Sequence, residues 1–161
     1  TILHGNLVFS QHGHATGITL KGINRVTNNI LALPLKAPDR GMLSLETGPL
    51  NGAVIQRNIM LTAEADHRFV GEIRIHGQGR KARLCDADSD SNLYWCLGDP
   101  AAGQAWLDRL QALGVDVHSR SCDPGFADPE KGDFSLKENA AALALDFQPL
   151  PLEQMFVGRN W

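Results

Sequence analysis

Cysteine, tyrosine and positive charge are all scarce in this chain of 161 residues, and each scarcity removes a class of protein. Three cysteines, Cys85, Cys96 and Cys122, are too few for a disulfide scaffold and odd in number. A Cys85–Cys96 bridge could form, but one thiol is then left over. Fifteen Lys and Arg against 18 Asp and Glu leave a net charge of -3, which excludes the phosphate-neutralising surface that nucleic acid requires. Apolar runs such as Ile30 to Leu35 fall far short of the roughly 18 to 20 residues that cross a bilayer, so no membrane-spanning role is expected. Neither Cys-x-x-Cys nor His-Glu-x-x-His occurs, and His12 and His14 read as loop residues, so no metal centre is expected. The chain enters apolar residues directly after Thr1, which suggests that any targeting leader has been removed.

What is plentiful is turn chemistry and apolar residues. Sixteen Gly and eight Pro, with 43% hydrophobic residues, fit one all-β domain of short elements better than a helical bundle. The strands themselves repeat. Asn followed by an apolar run occurs as Asn6-Leu7-Val8-Phe9, Asn29-Ile30-Leu31-Ala32, Asn58-Ile59-Met60-Leu61 and Asn92-Leu93-Tyr94-Trp95. The starts lie 23, 29 and 34 residues apart, by subtraction of 6, 29, 58 and 92. Before two of them stand strand-like runs, Asn24 to Asn28 and Gly52 to Arg57.

Self-similarity at this spacing is the mark of a solenoid, here a right-handed parallel β-helix whose coils stack about 4.8 Å apart. Asn suits the corner, because it tolerates the left-handed backbone conformation and its amide can stack on the Asn of the next coil. The apolar residue after it is expected to point into the core. Further strands are expected at Gly17–Leu20, Met42–Leu45 and Glu72–Ile75, with Thr19, Ser44, Glu72 and Arg74 facing out.

After Trp95 the pattern changes. Trp106, Leu107, Leu110 and Leu113 have helical spacing and Gly114 supplies a stop, which predicts a helix over Gly103 to Leu113. From Cys122 onward, turn residues alternate with Phe126, Phe134, Leu136, Leu143, Leu145 and Phe147. The expected organisation is therefore coils over 1–97, followed by a short helix and an extended tail over 98–161 that cover the exposed last coil. The first coil would need cover from an N-terminal segment, a separate subunit or another copy.

The run from Asp90 to Trp95 (DSNLYW), Trp106, the stretch from Leu110 to Ser119 (LQALGVDVHS) and the tail from Asp123 to Leu152 together resemble the C-terminal end of right-handed β-helix repeat proteins of the glycoside hydrolase type, among them β-xylosidase and α-L-fucosidase kinds. The likeness covers the last 70 residues or so closely, and Thr1 to Ala63 loosely. It implies a secreted or periplasmic, carbohydrate-active protein, with a polysaccharide or oligosaccharide as partner and part of its groove supplied by further coils.

Glycosidic cleavage needs two carboxyl groups across the scissile bond, about 5 to 5.5 Å apart for retention or 6.5 to 9.5 Å for inversion. Glu46, Asp88 and Asp90 are the catalytic candidates. Asp86, Asp88 and Asp90, at alternate positions, could instead hold a calcium ion or simply be solvated. A lyase on the same scaffold would need a base and a cation to neutralise a uronate, for which Lys21, Arg25, Arg57 and Arg74 are candidates. Lys21, Arg57, Glu72 and Tyr94 are the expected substrate contacts, with Tyr94, Trp95 and Trp106 as aromatic platforms; Trp95 and Trp106 are better read as sealing the core.

Overall fold

A computed structural model describes residues 1–9, 17–32, 41–46, 50–66, 68–72 and 82–155. His12, His14 and Arg74 lie outside them. The described residues are mostly short strands in parallel sheets. Sheet A contains β1 (Ile2–His4), β4 (Arg25–Thr27), β7 (Val54–Gln56) and β10 (Asp88–Asp90). Sheet B contains β2 (Leu7–Phe9), β5 (Ile30–Ala32), β8 (Ile59–Thr62) and β11 (Leu93–Cys96), and sheet C contains β3 (Ile18–Leu20), β6 (Leu43–Leu45) and β9 (Val70–Glu72). The chain therefore visits A, B and C in turn three times, then A and B once more. Every pairing within these sheets is parallel and in simple register, for example Leu3 to Val26 to Ile55 to Ser89.

The corner between A and B carries the asparagines, and it differs from expectation in one respect. The left-handed conformation belongs to the residue before each Asn: Gly5, Asn28, Arg57 and Ser91 have φ of 68°, 57°, 52° and 57°. The Asn is thereby free to act as a bracket. Its Oδ1 accepts both the backbone N–H and the amide of the Asn one circuit earlier: Asn29 Oδ1 lies 3.0 Å from Asn6 N and 2.9 Å from Asn6 Nδ2. The same pair of bonds joins Asn29 to Asn58 and Asn58 to Asn92. Each amide also reaches back to carbonyls, such as Val26 and Gln56 for Asn58.

Two cores result. Val26 and Ile55 from sheet A, Leu31, Met60 and Tyr94 from sheet B, and Leu20, Leu43, Leu45 and Val70 from sheet C share the first. The residue directly after each Asn points the other way, contrary to expectation. Ile30, Ile59 and Leu93 pack, with Ala32 and Leu61, against Phe126, Phe134, Ala142, Leu145 and Phe147 of the tail. Sheet B is thus buried on both faces, which is why its strands read as unbroken apolar runs. Where strands stack, space is tight: a Cβ on Gly41 would stand 2.5 Å from the backbone N of Gly71.

Helix α1 (Pro100–Gln111) starts three residues earlier than its apolar spacing suggested, because Asp99 caps it by accepting the Ala101 N–H at 3.0 Å. Leu107, Leu110 and Val115 join the first core, so the helix and the turn after it cover the last circuit. The helix was expected to share this role with the tail. Instead, β12 (Phe126–Asp128) and β13 (Asp133–Leu136) form an antiparallel hairpin on the outer flank of sheet B, followed by a 3-10 turn (Ala141–Leu145) and the short α2 (Leu152–Met155). The tail reaches back to the second circuit, where Asn28 Oδ1 accepts the Gln148 N–H at 2.6 Å and Asn28 Nδ2 donates to the Gln148 carbonyl at 2.9 Å. Thr19 is exposed as expected, but Ser44 is fully buried, its hydroxyl satisfied by the backbone of Gly41. All three thiols are free, so Cys85 and Cys96 are not bridged.

Replacing Asn58 by Ala would orphan the Asn29 N–H and take one donor from the Val26 carbonyl inside the stack. A loss of about 3 kcal/mol in urea unfolding is expected, against about 1 kcal/mol for Asn6→Ala at the half-exposed end. Equal losses at the two positions would count against the ladder.

Candidate active face

The alternation of β10 aims Ser89 inward and both its neighbours outward, so Asp88 and Asp90 share the outer face of sheet A. Register extends that face into two rows: Ile2, Arg25, Val54 and Asp88, then His4, Thr27, Gln56 and Asp90. Residues two apart on one face of a strand are separated by about 6.5 to 7 Å. Asp88 Oδ2 accepts Gln56 Nε2 at 3.0 Å, and His4 Nδ1 meets Thr27 Oγ1 at 3.0 Å.

Asp90 is held more firmly. Its Oδ1 accepts the backbone N–H of His118 at 2.8 Å and its Oδ2 lies 2.6 Å from His118 Nδ1. Partial burial pushes the Asp90 carboxyl up, but the bonds from His118, with the backbone N–H of Ser91, outweigh it and hold the group below the usual carboxylate range. With Nδ1 donating to Asp90, the imidazole presents Nε2 to solvent from a side chain that is 77% exposed. Chemically, this is an ionised carboxylate orienting a histidine, beside a second carboxylate on the same face.

What places His118 is a fifth, partial rung of the asparagine column. Asn92 N donates to Ser119 Oγ at 2.8 Å, the bond that an Asn side chain accepts in the other rungs, and Leu93 bridges Arg120 in parallel. Asn92 Nδ2 ends on Asp116 Oδ1 at 2.8 Å. Asp116, only 1% exposed, also accepts from Ser119 Oγ at 2.6 Å, Ser89 Oγ at 3.0 Å and the Tyr94 hydroxyl at 2.9 Å. Tyr94 is therefore no sugar platform: it is wholly buried, and burial, with the Asp116 charge added, drives its phenol well above the ordinary value.

The remaining expected residues do not converge on Asp88 and Asp90. Glu46 follows β6 on sheet C, its N–H bonded to the Leu20 carbonyl, which sets it one circuit above Lys21. Glu72 ends β9 on the inward side, like Val70, and accepts the Leu84 N–H at 3.0 Å, so it does not face out. Arg57 occupies the strained corner between sheets A and B. Asp86 pairs with Arg83 at 3.4 Å while Asp88 and Asp90 have partners of their own. The three aspartates therefore do not assemble a calcium cage, and among the described residues no group of three or more His, Cys, Asp or Glu could hold a metal ion. His118 and Asp116 were missed from sequence. The available signal was the spacing: Ser119 lies 27 residues after Asn92, inside the range of the repeat.

No family model, curated protein or solved structure matches the chain significantly.

Asp90 gains its partners only in the folded state, so its contribution to stability is present above the ordinary carboxylate range and is lost as pH falls through the lowered folded value. Thermal melts of Asp90→Asn are expected to show a lower midpoint than the wild type at pH 7, from the lost His118 bonds, and a shallower decline between pH 5 and 2, so that the two curves converge in acid. Parallel curves would mean that Asp90 is not bound to His118 in solution.

Proposed function

We propose that the chain is a segment of a right-handed parallel β-helix that hydrolyses a polysaccharide or oligosaccharide, with Asp88 and Asp90 as its carboxyl pair. The cyclic order of sheets A, B and C and the asparagine column support the solenoid reading. The observation that carries the chemistry is the pair of aspartates two residues apart on one exposed face, their backbones about 6.5 to 7 Å apart, nearer the carboxyl separation of inverting enzymes than of retaining ones. Asp90, kept ionised, is the base that draws the proton from that water, with His118 fixing its orientation. Asp88, on the same face, is the second carboxyl group, placed at the leaving oxygen. Arg25, in the same row as Asp88, offers donors to sugar hydroxyls. A secreted or periplasmic setting follows from a polymeric sugar substrate.

The expected result is release of reducing ends from one member of a panel of neutral and acidic polysaccharides, lost by about a thousandfold or more in Asp88→Asn and Asp90→Asn with unchanged circular dichroism. An inactive wild-type chain, or two fully active variants, would sink the hydrolase.

A second reading rests on the open side of the stack. Leu3, Val8 and Ile18 are only partly buried, while their counterparts one circuit on, Val26, Leu31 and Leu43, are at most 1% exposed. Ile2 is 71% exposed, and among the described residues none donates to Asn6 Oδ1 as their counterparts do to its successors. In this reading further coils, from a longer chain or a second subunit, stack on β1, β2 and β3, and the segment serves as scaffold. Sedimentation at rising concentration is expected to show association that Leu3→Asp with Val8→Asp abolishes; a monomer at all concentrations rejects stacking between copies.

A further inference from the structure

We propose that the edge formed by β1, β2 and β3 is a docking site for one strand–corner–strand segment of a partner protein, laid on in parallel and carrying an Asn at its corner. This rests on the scaffold reading above and names the partner that the reading leaves open. β1, β2 and β3 are the end strands of sheets A, B and C, all at one end of the stack. Such an edge offers backbone groups and a slice of core to an incoming strand.

The asparagine column specifies what that strand contains. At each rung the backbone N–H and amide of the earlier Asn donate to Oδ1 of the later one. In return, Nδ2 of the later Asn donates to the carbonyl of the residue three before the earlier Asn. Asn29 reaches the Leu3 carbonyl at 3.1 Å, Asn58 that of Val26 at 2.8 Å and Asn92 that of Ile55 at 2.8 Å. Asn6 has the same groups, but among the described residues it makes none of these bonds toward an earlier circuit. Its amide ends on Asn29 Oδ1 and on the carbonyl of its own His4. The occupant therefore brings a corner Asn, whose N–H and amide fill Asn6 Oδ1, and a strand carbonyl three residues before it. Register adds two apolar side chains, at the places that Val26 and Leu31 hold around Asn29, to cover the half-buried Leu3 and Val8.

A second copy of this chain does not meet that specification. At its far end the corner donors are already engaged: Asn92 N binds Ser119 Oγ, Asn92 Nδ2 binds Asp116, and Arg120 bridges β11. At its near end it presents the same Asn6 acceptor, so two copies meeting edge to edge set acceptor against acceptor. Copies drawn together by Leu3 and Val8 leave that bond unmade, and a segment that makes it displaces them.

A peptide of residues 24–32 (NRVTNNILA), which holds a complete corner, stands in for the partner. Fluorescence anisotropy of the labelled peptide with the full chain is expected to give a Kd below about 1 mM, weakened about tenfold or more in the peptide carrying Asn29→Ala. The Asn6→Ala chain is expected to bind the two peptides within about twofold of each other. Leu3→Asp with Val8→Asp, its fold checked by circular dichroism, should bind neither, and the unlabelled peptide should reduce any association seen in sedimentation. Equal binding of the two peptides to the wild type, or a preference that survives Asn6→Ala, overturns the docking site while the scaffold reading stands. Association that the peptide does not reduce does the same and makes a second copy the occupant. A chain that binds neither peptide and is monomeric at all concentrations overturns the docking site and stacking between copies together.

Discussion

The column of asparagine amides is the constraint on which the other features depend. Every amide in it donates in the same direction, from Asn6 through Asn29 and Asn58 to Asn92, and the last donates to the buried carboxylate of Asp116. A carboxylate can only accept while ionised, so it sets the polarity of the chain of bonds leading to it, and bonds aligned in one sense reinforce one another. Four side-chain donors surround Asp116, which is how its carboxyl group can be buried. Because the brackets fix where each corner falls, they also fix the register of all three sheets, and with it which residues share a face.

The face bearing Asp88 and Asp90 is a by-product of that register. Ser89 must point inward to reach Asp116, so its neighbours must point outward. The loop that supplies Asp116 and Ser119 to the column also carries His118 to Asp90. The structural anchors Asp116 and Ser119 thus flank the exposed His118 at two residues' and one residue's distance, and a change in one is felt at the other.

Much of this was legible in the residues. The four Asn-led units gave the strands of sheet B and their spacing, and the alternation around Ile18 and Leu43 gave strands of sheet C. The direction of the side chains was harder to read. Continuous apolar runs such as Ile30-Leu31-Ala32 do not reveal which residue faces which core, and the presence of a second core under the tail reversed the assignment. Tyr94 was read as a platform because nothing local marks a buried acid 22 residues away as its partner. Asp88 and Asp90 could be singled out by their alternation, but His118 could not, since Ser in place of Asn hides the fifth rung. Nor could the groove at α1, whose lining residues come from two stretches separated in sequence.

A stack of repeats held only by nearest neighbours melts from its ends inward, circuit by circuit. Here the tail changes that behaviour. It lies along sheet B, clasps Asn28 through Gln148, and sets Leu150 within 4.0 Å of where a side chain on Gly5 would begin. Residues 120 positions apart are thereby fastened together, so early circuits cannot fray without releasing the last segment of the chain. The chain closes on itself like a strap buckled around a pile of plates, and the molecule is expected to come apart in a single cooperative event.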